Sequence, residues 1–185
     1  MQFFRFLGRL LITICLLSVL HAGDAPTNFT IAGLTFTRPA SWVWGSSPSA
    51  MRKATLTVHG PGGDADCAFF YFGTDQGGDV KSNVERWAGQ FTGEEDKSVM
   101  ATQDFGTNKV TLVKAQGAFN SGMPGGPTTP QANYALLGAI IETAQGKVFI
   151  KMTGPKAVIT GCETDFLSLV KSAANTSAAP SPTAK

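Results

Sequence analysis

Six consecutive residues near the middle of the chain, Cys67-Ala-Phe-Phe-Tyr-Phe72, are apolar or aromatic without a break. Successive side chains of a strand point to opposite faces of its sheet, so a strand built from this run has no polar face to offer water. It belongs inside a sheet with apolar cover on both sides, and the rest of the chain has to supply the neighbours and the cover.

Neighbouring strands are legible on either side. Phe29-Thr-Ile31 and Leu34-Thr-Phe36 alternate around Ala32-Gly33, which reads as a hairpin, and Pro39 ends the second strand. Ala54, Leu56 and Val58 alternate with Thr55 and Thr57, giving a strand with one face inward. The turn-rich stretch Gly60-Pro-Gly-Gly-Asp-Ala-Asp66 leads into the apolar run. After it, Gly77-Gly78 breaks the chain, Asp79 is placed to cap a helix, and Val80, Val84, Trp87, Ala88 and Phe91 fall on one helical face. Further strands are expected over 99–105 and 109–119, with a turn at Gly106-Thr-Asn108 between them. The Pro- and Gly-rich segment Ser121–Gln131 reads as a long loop. Tyr134–Glu142 and Lys147–Thr153 form a second hairpin around Ala144-Gln-Gly146. A closing helix starts near Pro155 and presents Val158, Cys162, Phe166, Leu169, Val170 and Ala173 on one face. Short connections between strands predict an antiparallel sheet with segregated helices, an α+β fold.

Both ends of the chain read differently from this middle. Arg5 and Arg9 precede Leu10–Leu20, an uncharged apolar run of about eleven residues, and the small residues Ala22-Gly23-Asp24-Ala25 follow. That is the pattern of a cleaved secretory signal peptide, and the run falls short of the roughly 20 residues a membrane helix takes. Residues 1–22 are therefore expected to leave, with the cut as late as Ala25, and no transmembrane segment is expected afterwards. Residues 26–172 are expected to form one domain, and 173–185, rich in Ala, Pro, Ser and Thr, a disordered tail.

Removing the leader changes the charge. The whole chain carries 15 Lys+Arg against 13 Asp+Glu. Without Arg5 and Arg9 the count is 15 − 2 = 13 against 13, so the mature domain is formally neutral. No basic stripe is left for nucleic acid and no polybasic cluster for anionic lipid. Cys15 and His21 leave as well, so Cys67, Cys162 and His59 are the cysteines and histidine that remain. An exported pair of cysteines invites a disulfide, and two buried free thiols are the other reading.

The chain's local phrases carry a family resemblance. Gly33-Leu-Thr-Phe-Thr-Arg-Pro-Ala-Ser-Trp42, the helix after a Gly-rich loop, and Gly146-Lys-Val-Phe-Ile-Lys151 before a helix with Phe166 resemble the PsbP-like group, named for an extrinsic subunit of the photosynthetic oxygen-evolving complex. Ser49-Ala-Met-Arg-Lys-Ala54, Phe70-Tyr-Phe-Gly73 and Asn83-x-x-Arg-Trp87 with Gln90-Phe91 are similar to small exported bacterial proteins of unassigned function. The resemblance spans about residues 28–172. It implies an α/β/α sandwich, with helices on both faces of the sheet, in a family rich in non-catalytic envelope and lumen proteins.

The residues available for chemistry are few. His59 stands beside Gly60-Pro61 as a turn residue, and no Gly-x-Ser-x-Gly elbow accompanies it. One histidine and two distant cysteines do not make a structural zinc site. Asp64, Asp66, Asp75 and Asp79 lie in turns around the apolar run, where turn and capping chemistry competes with a calcium site. No P-loop follows Gly60-Pro-Gly-Gly63, and Glu94-Glu95-Asp96 reads as a solvated turn. The strongest cluster is one for recognition: Trp42, Trp44, Met51 and Arg52, of which Trp and Arg are the types most enriched in binding hot spots. The alternative for the two tryptophans is a structural one, as plugs over the sheet edge. The expected function is that of an exported, non-enzymatic binding or assembly protein of the envelope, without cofactor or metal, facing a protein or apolar ligand through Trp42–Arg52 and the Ser121–Gln131 loop. A carboxylate- or metal-dependent enzyme and a purely structural subunit are the alternatives.

Overall fold

A computed structural model describes residues 26–47, 49–93, 99–120 and 129–175. The expected signal peptide, the run Glu94-Glu95-Asp96, residues 121–128 of the long loop and residues 176–185 of the tail lie outside the described residues.

Tight turns set the sheet's register. Ala32 and Gly33 both take positive φ (49° and 77°), as a two-residue hairpin of type I′ requires, and join β1 (Asn28–Ile31) to β2 (Leu34–Thr37). This hairpin stands apart as its own two-stranded sheet. The main sheet has eight strands. The short β3 (Val43–Trp44) pairs with β4 (Arg52–Val58), which pairs with β5 (Ala65–Tyr71). After α1 (Val80–Ala88) and the two-residue β6 (Phe91–Thr92) come β7 (Val99–Phe105) and β8 (Asn108–Phe119), then β9 (Gln131–Thr143) and β10 (Gly146–Pro155). The spatial order is β3-β4-β5-β10-β9-β8-β6, with β7 also on β8, and every pairing is antiparallel. The chain closes with α2 (Lys156–Gly161) and α3 (Glu163–Ala174). The protein is thus an α+β domain dominated by antiparallel sheet.

Alternation along the central strands divides the buried residues into two clusters. Val148, Ile150 and Met152 of β10 join Cys67 and Phe69 of β5, Ala139 and Ile141 of β9, the β1–β2 hairpin, and Val158, Phe166 and Leu169 from α2 and α3. Phe149 of β10 joins Leu136 and Ile140 of β9, Val113 of β8, and Val84 and Trp87 from α1. Asp79 caps α1: its carboxylate accepts from the Ser82 amide at 2.8 Å and the Ser82 hydroxyl at 2.7 Å. Those bonds hold its carboxyl below the usual carboxylate range.

Several boundaries differ from the sequence reading. β9 already starts at Gln131, the expected end of the long loop, while β8 takes in Asn108 from the expected turn and β10 runs on to Pro155. Phe91 lies beyond the helix, in β6, where it pairs with Phe119, because Gly89 ends α1. The closing helix is two helices, broken at Cys162. It also runs to Ala174, and Ala173 and Ala174 are buried, so the folded unit extends past residue 172. Small residues at 173 and 174 read as tail by composition, yet small is what close packing needs there.

Packing of α1 onto β9 depends on the missing side chain of Gly138. A Cβ at that position would stand 2.7 Å and 2.9 Å from two atoms of the Trp87 indole. Gly138→Ala should therefore destabilise the fold by about 1–3 kcal/mol in urea unfolding. Gly161→Ala, where nothing lies within 4 Å at the end of α2, should be neutral or stabilising by up to about 1 kcal/mol. Equal effects of the two changes would contradict this packing.

Candidate ligand cavity

The four residues singled out for recognition do not share one surface. Trp42 is fully buried in the larger core cluster. Its amide donates to the Pro39 carbonyl at 3.1 Å, and its own carbonyl accepts from the Arg38 guanidinium, which also reaches the carbonyls of Pro39 and Ala40. Trp44 is half-buried, edge-on to Phe29 at 5.0 Å, and its indole N–H donates to the Pro26 carbonyl at 3.3 Å. Both tryptophans pack as part of the core structure, because the two-residue β3 carries this segment onto the β1–β2 hairpin. Met51 is 55% exposed, and Arg52 is half-buried beside it. A bulge between Arg52 and Ala54 breaks the register of β4 here. Arg52 pairs across the strands with Phe70, and its guanidinium carbon lies 5.4 Å from the centre of that ring.

Arg52 and Phe70 lead to a site that the sequence reading missed. Between α1 and the strands β5 and β10 lies a cavity of about 150 Å³, walled by Phe70, Phe72, Trp87 and Phe149 and reached by Arg86 and Lys151. The register brings the walls together: Phe149 of β10 stands opposite Phe70 of β5. Phe70 and Phe72 are parallel at 6.3 Å, Phe72 meets Phe149 edge-on at 5.6 Å, and Trp87 meets Phe149 edge-on at 6.5 Å. Gly77 makes room for this arrangement. It takes φ +86°, and a Cβ there would come within 2.6 Å of Phe149 and 2.8 Å of Phe72.

Three cations gather at this cavity: Arg86 and Lys151 line it, and Arg52 lies over the Phe70 ring. Arg86 is held by the Asn83 side-chain oxygen, and Asn83 is itself fixed by donating to the carbonyls of Gly77 at 2.8 Å and Asp79 at 2.9 Å. Lys151 donates to the Gln90 side-chain oxygen and lies 5.4 Å from the centre of the Phe119 ring. Among the described residues, no carboxylate forms an ion pair with Arg52, Arg86 or Lys151. Burial, and then the neighbouring charges of Arg86 and Arg52, push the Lys151 amine down to about 8. Two other depressions carry charges of both signs. A depression of about 200 Å³ between α3 and the sheet is crossed by a Lys114–Glu163 pair. Another, about 450 Å³, has Lys109 and Glu142 facing each other across β8 and β9.

The other candidate groups are apart from this cavity. Cys67 and Cys162 are free, buried thiols in the same core cluster, not a disulfide. They meet the sheet–helix interface as packing residues, Cys67 from β5 and Cys162 from the break between α2 and α3. Burial pushes both thiols up, away from reactivity. His59 is exposed and its Nδ1 lies 2.9 Å from Asp64, while Asp66 accepts from the Thr57 hydroxyl at 2.8 Å. None of Asp64, Asp66, Asp75 and Asp79 lines this cavity or either of those two depressions. No group of three or more metal-ligating side chains occurs among the described residues. No helix among them is long and apolar enough to cross a membrane.

The fold and cavity define an α+β domain with a small cationic, aromatic-walled site. No family model matches the chain, and no curated protein matches it. Among solved structures it is similar to the crystal structure of PA94, a protein of unknown function from Pseudomonas aeruginosa, at 14% identity and a TM-score of 0.38. That similarity covers 85% of this chain and 98% of the other. A likeness at this level bears on neither ligand nor activity.

Lys151 costs the fold stability. Below about 8 the amine is charged in the folded and the unfolded chain alike, and burying it opposes folding. Between about 8 and the ordinary lysine value of 10.5 only the unfolded chain holds the proton, so the cost fades as pH rises. Lys151→Met should accordingly be more stable than the parent at pH 7 by about 1–3 kcal/mol. That advantage should shrink toward pH 10.5 in thermal unfolding. A variant that is less stable at pH 7 would show that the amine supports the fold.

Proposed function

We propose that this chain is an exported, non-enzymatic binding protein whose cavity between α1 and β10 holds a small anion. One observation carries the reading: Arg52, Arg86 and Lys151 converge on aromatic walls with no carboxylate partner among the described residues. Like charges gathered on a partly desolvated surface repel, and a bound anion removes that cost. Export rests on the leader pattern of residues 1–22. Binding rather than catalysis is supported by two deeply packed thiols with raised pKa values and a solvent-facing His59.

The layering belongs to the same proposal. α1 shares one core cluster with Phe149, and α2 and α3 share the other with Val148 and Ile150. This distribution supports the PsbP-like α/β/α arrangement, with the cavity on the α1 side.

Thermal unfolding in phosphate and in acetate, at fixed ionic strength, tests the anion site. One of these anions should raise the melting temperature saturably, by the equivalent of about 2.7 kcal/mol at a hundredfold excess over Kd. The rise should vanish in Arg86→Gln. An equal rise in that variant would place the effect elsewhere. Mass spectrometry of the protein from its host should find a first residue between 23 and 26, and an intact Met1 in a cytoplasmic fraction would overturn export.

A further inference from the structure

The cavity's size, walls and donors narrow the anion, on the reading that it is an anion site. We infer that it takes a single aromatic ring bearing one carboxylate, with the ring against Phe72, Phe149 and Trp87 and the carboxylate between Lys151 and Arg86.

Size sets the first limit. A drug-sized ligand fills roughly 300 Å³ or more. About 150 Å³ is the volume of an engineered cavity that takes benzene, so one six-membered ring fits within this space. The walls agree. Phe72 and Trp87 both stand edge-on to Phe149, leaving ring faces and edges for a further ring to meet. A bare inorganic anion would bring no apolar surface to these rings and would leave them in contact with water.

Donor number sets the second limit. Lys151 has three N–H groups and gives one to Gln90. Arg86 gives one of its five to Asn83. The amine's two remaining protons and the guanidinium's planar fork suit the two oxygens of one carboxylate. A phosphate brings more oxygens and more charge than these two residues serve at an aromatic wall. Arg52, already stacked on Phe70, adds positive potential from β4. Among the described residues, the charged groups that act on Lys151 are thus Arg86 from α1 and Arg52 from β4, and its contacts Gln90 and Phe119 are neutral.

Isothermal titration of the protein isolated from its host tests the inference with benzoate, benzamide and inorganic phosphate. Benzoate should bind one to one at pH 7, with benzamide and phosphate each at least tenfold weaker. Its affinity should fall at least tenfold between pH 7 and pH 10, and binding near pH 8 should take up protons, read as buffer-dependent heat. Lys151→Met and Arg86→Gln should each weaken benzoate at least tenfold, with folding checked by circular dichroism, while Lys81→Ala should bind as the parent does. The pH profile and proton uptake need no variant. Phosphate binding as tightly as benzoate, with the same loss in Arg86→Gln, would overturn the aromatic acid and leave the anion reading standing. Benzamide equal to benzoate, or no binding by any of the three, would overturn both.

Discussion

Everything in this domain hangs on β10, which is hydrogen-bonded along both edges, to β5 on one side and β9 on the other. With no free edge, its side chains can point only to the two faces. Val148, Ile150 and Met152 anchor the larger core, and Phe149 anchors the smaller. Lys151 is the next residue on the Phe149 side. Its position is dictated by the strand's pleat and not by any attraction of its own. An amine is thereby held where water is scarce, and Gln90, Phe119 and the cavity are what it has for company.

The electrostatic arrangement around that amine contrasts with the rest of the surface. Lys81 pairs with Glu85, Lys114 with Glu163, and His59 with Asp64, all at exposed positions where such pairs contribute little. At the cavity the positive groups are instead held by neutral partners: Asn83 for Arg86, Gln90 for Lys151, and the Phe70 ring for Arg52. Neutral partners fix direction without cancelling charge. The helix cap at Asp79, the fixed Asn83 and the Gly77 turn form one chain of constraints that sets where the Arg86 guanidinium stands.

Much of the fold could be read from residue alternation, since hairpins, strands and the cap of α1 are decided within a few residues of one another. The two-residue strands β3 and β6 could not, because strands that short carry no period. Trp42 and Trp44 read in sequence either as a recognition pair or as structural plugs, and the core around Trp42 and Phe29 of the β1–β2 hairpin, edge-on to Trp44, decide for packing. The cavity was least legible. Lys151 in Val148-Phe-Ile-Lys-Met152 reads as the solvated member of a strand, and its burial depends on α1 and on the Phe70–Phe149 register, both remote in sequence. The signal that was present is the Cys67–Phe72 run. Its Phe69 side enters the core, while its Phe70 and Phe72 side is apolar because it walls a cavity.

Among the described residues, the order of strands also divides the sheet into two stretches of continuous chain, β3-β4-β5 and β6 through β10, whose strands pair where residues 66–71 meet 148–153. Within each stretch the pairings are local and quick to form, whereas this join closes a long loop and is the slow, costly contact. The cavity sits astride it, taking Phe70 and Phe72 from one stretch and Phe149 and Lys151 from the other. A molecule lodged there would act as a rivet across the seam, slowing the separation of two halves that no covalent crosslink holds together.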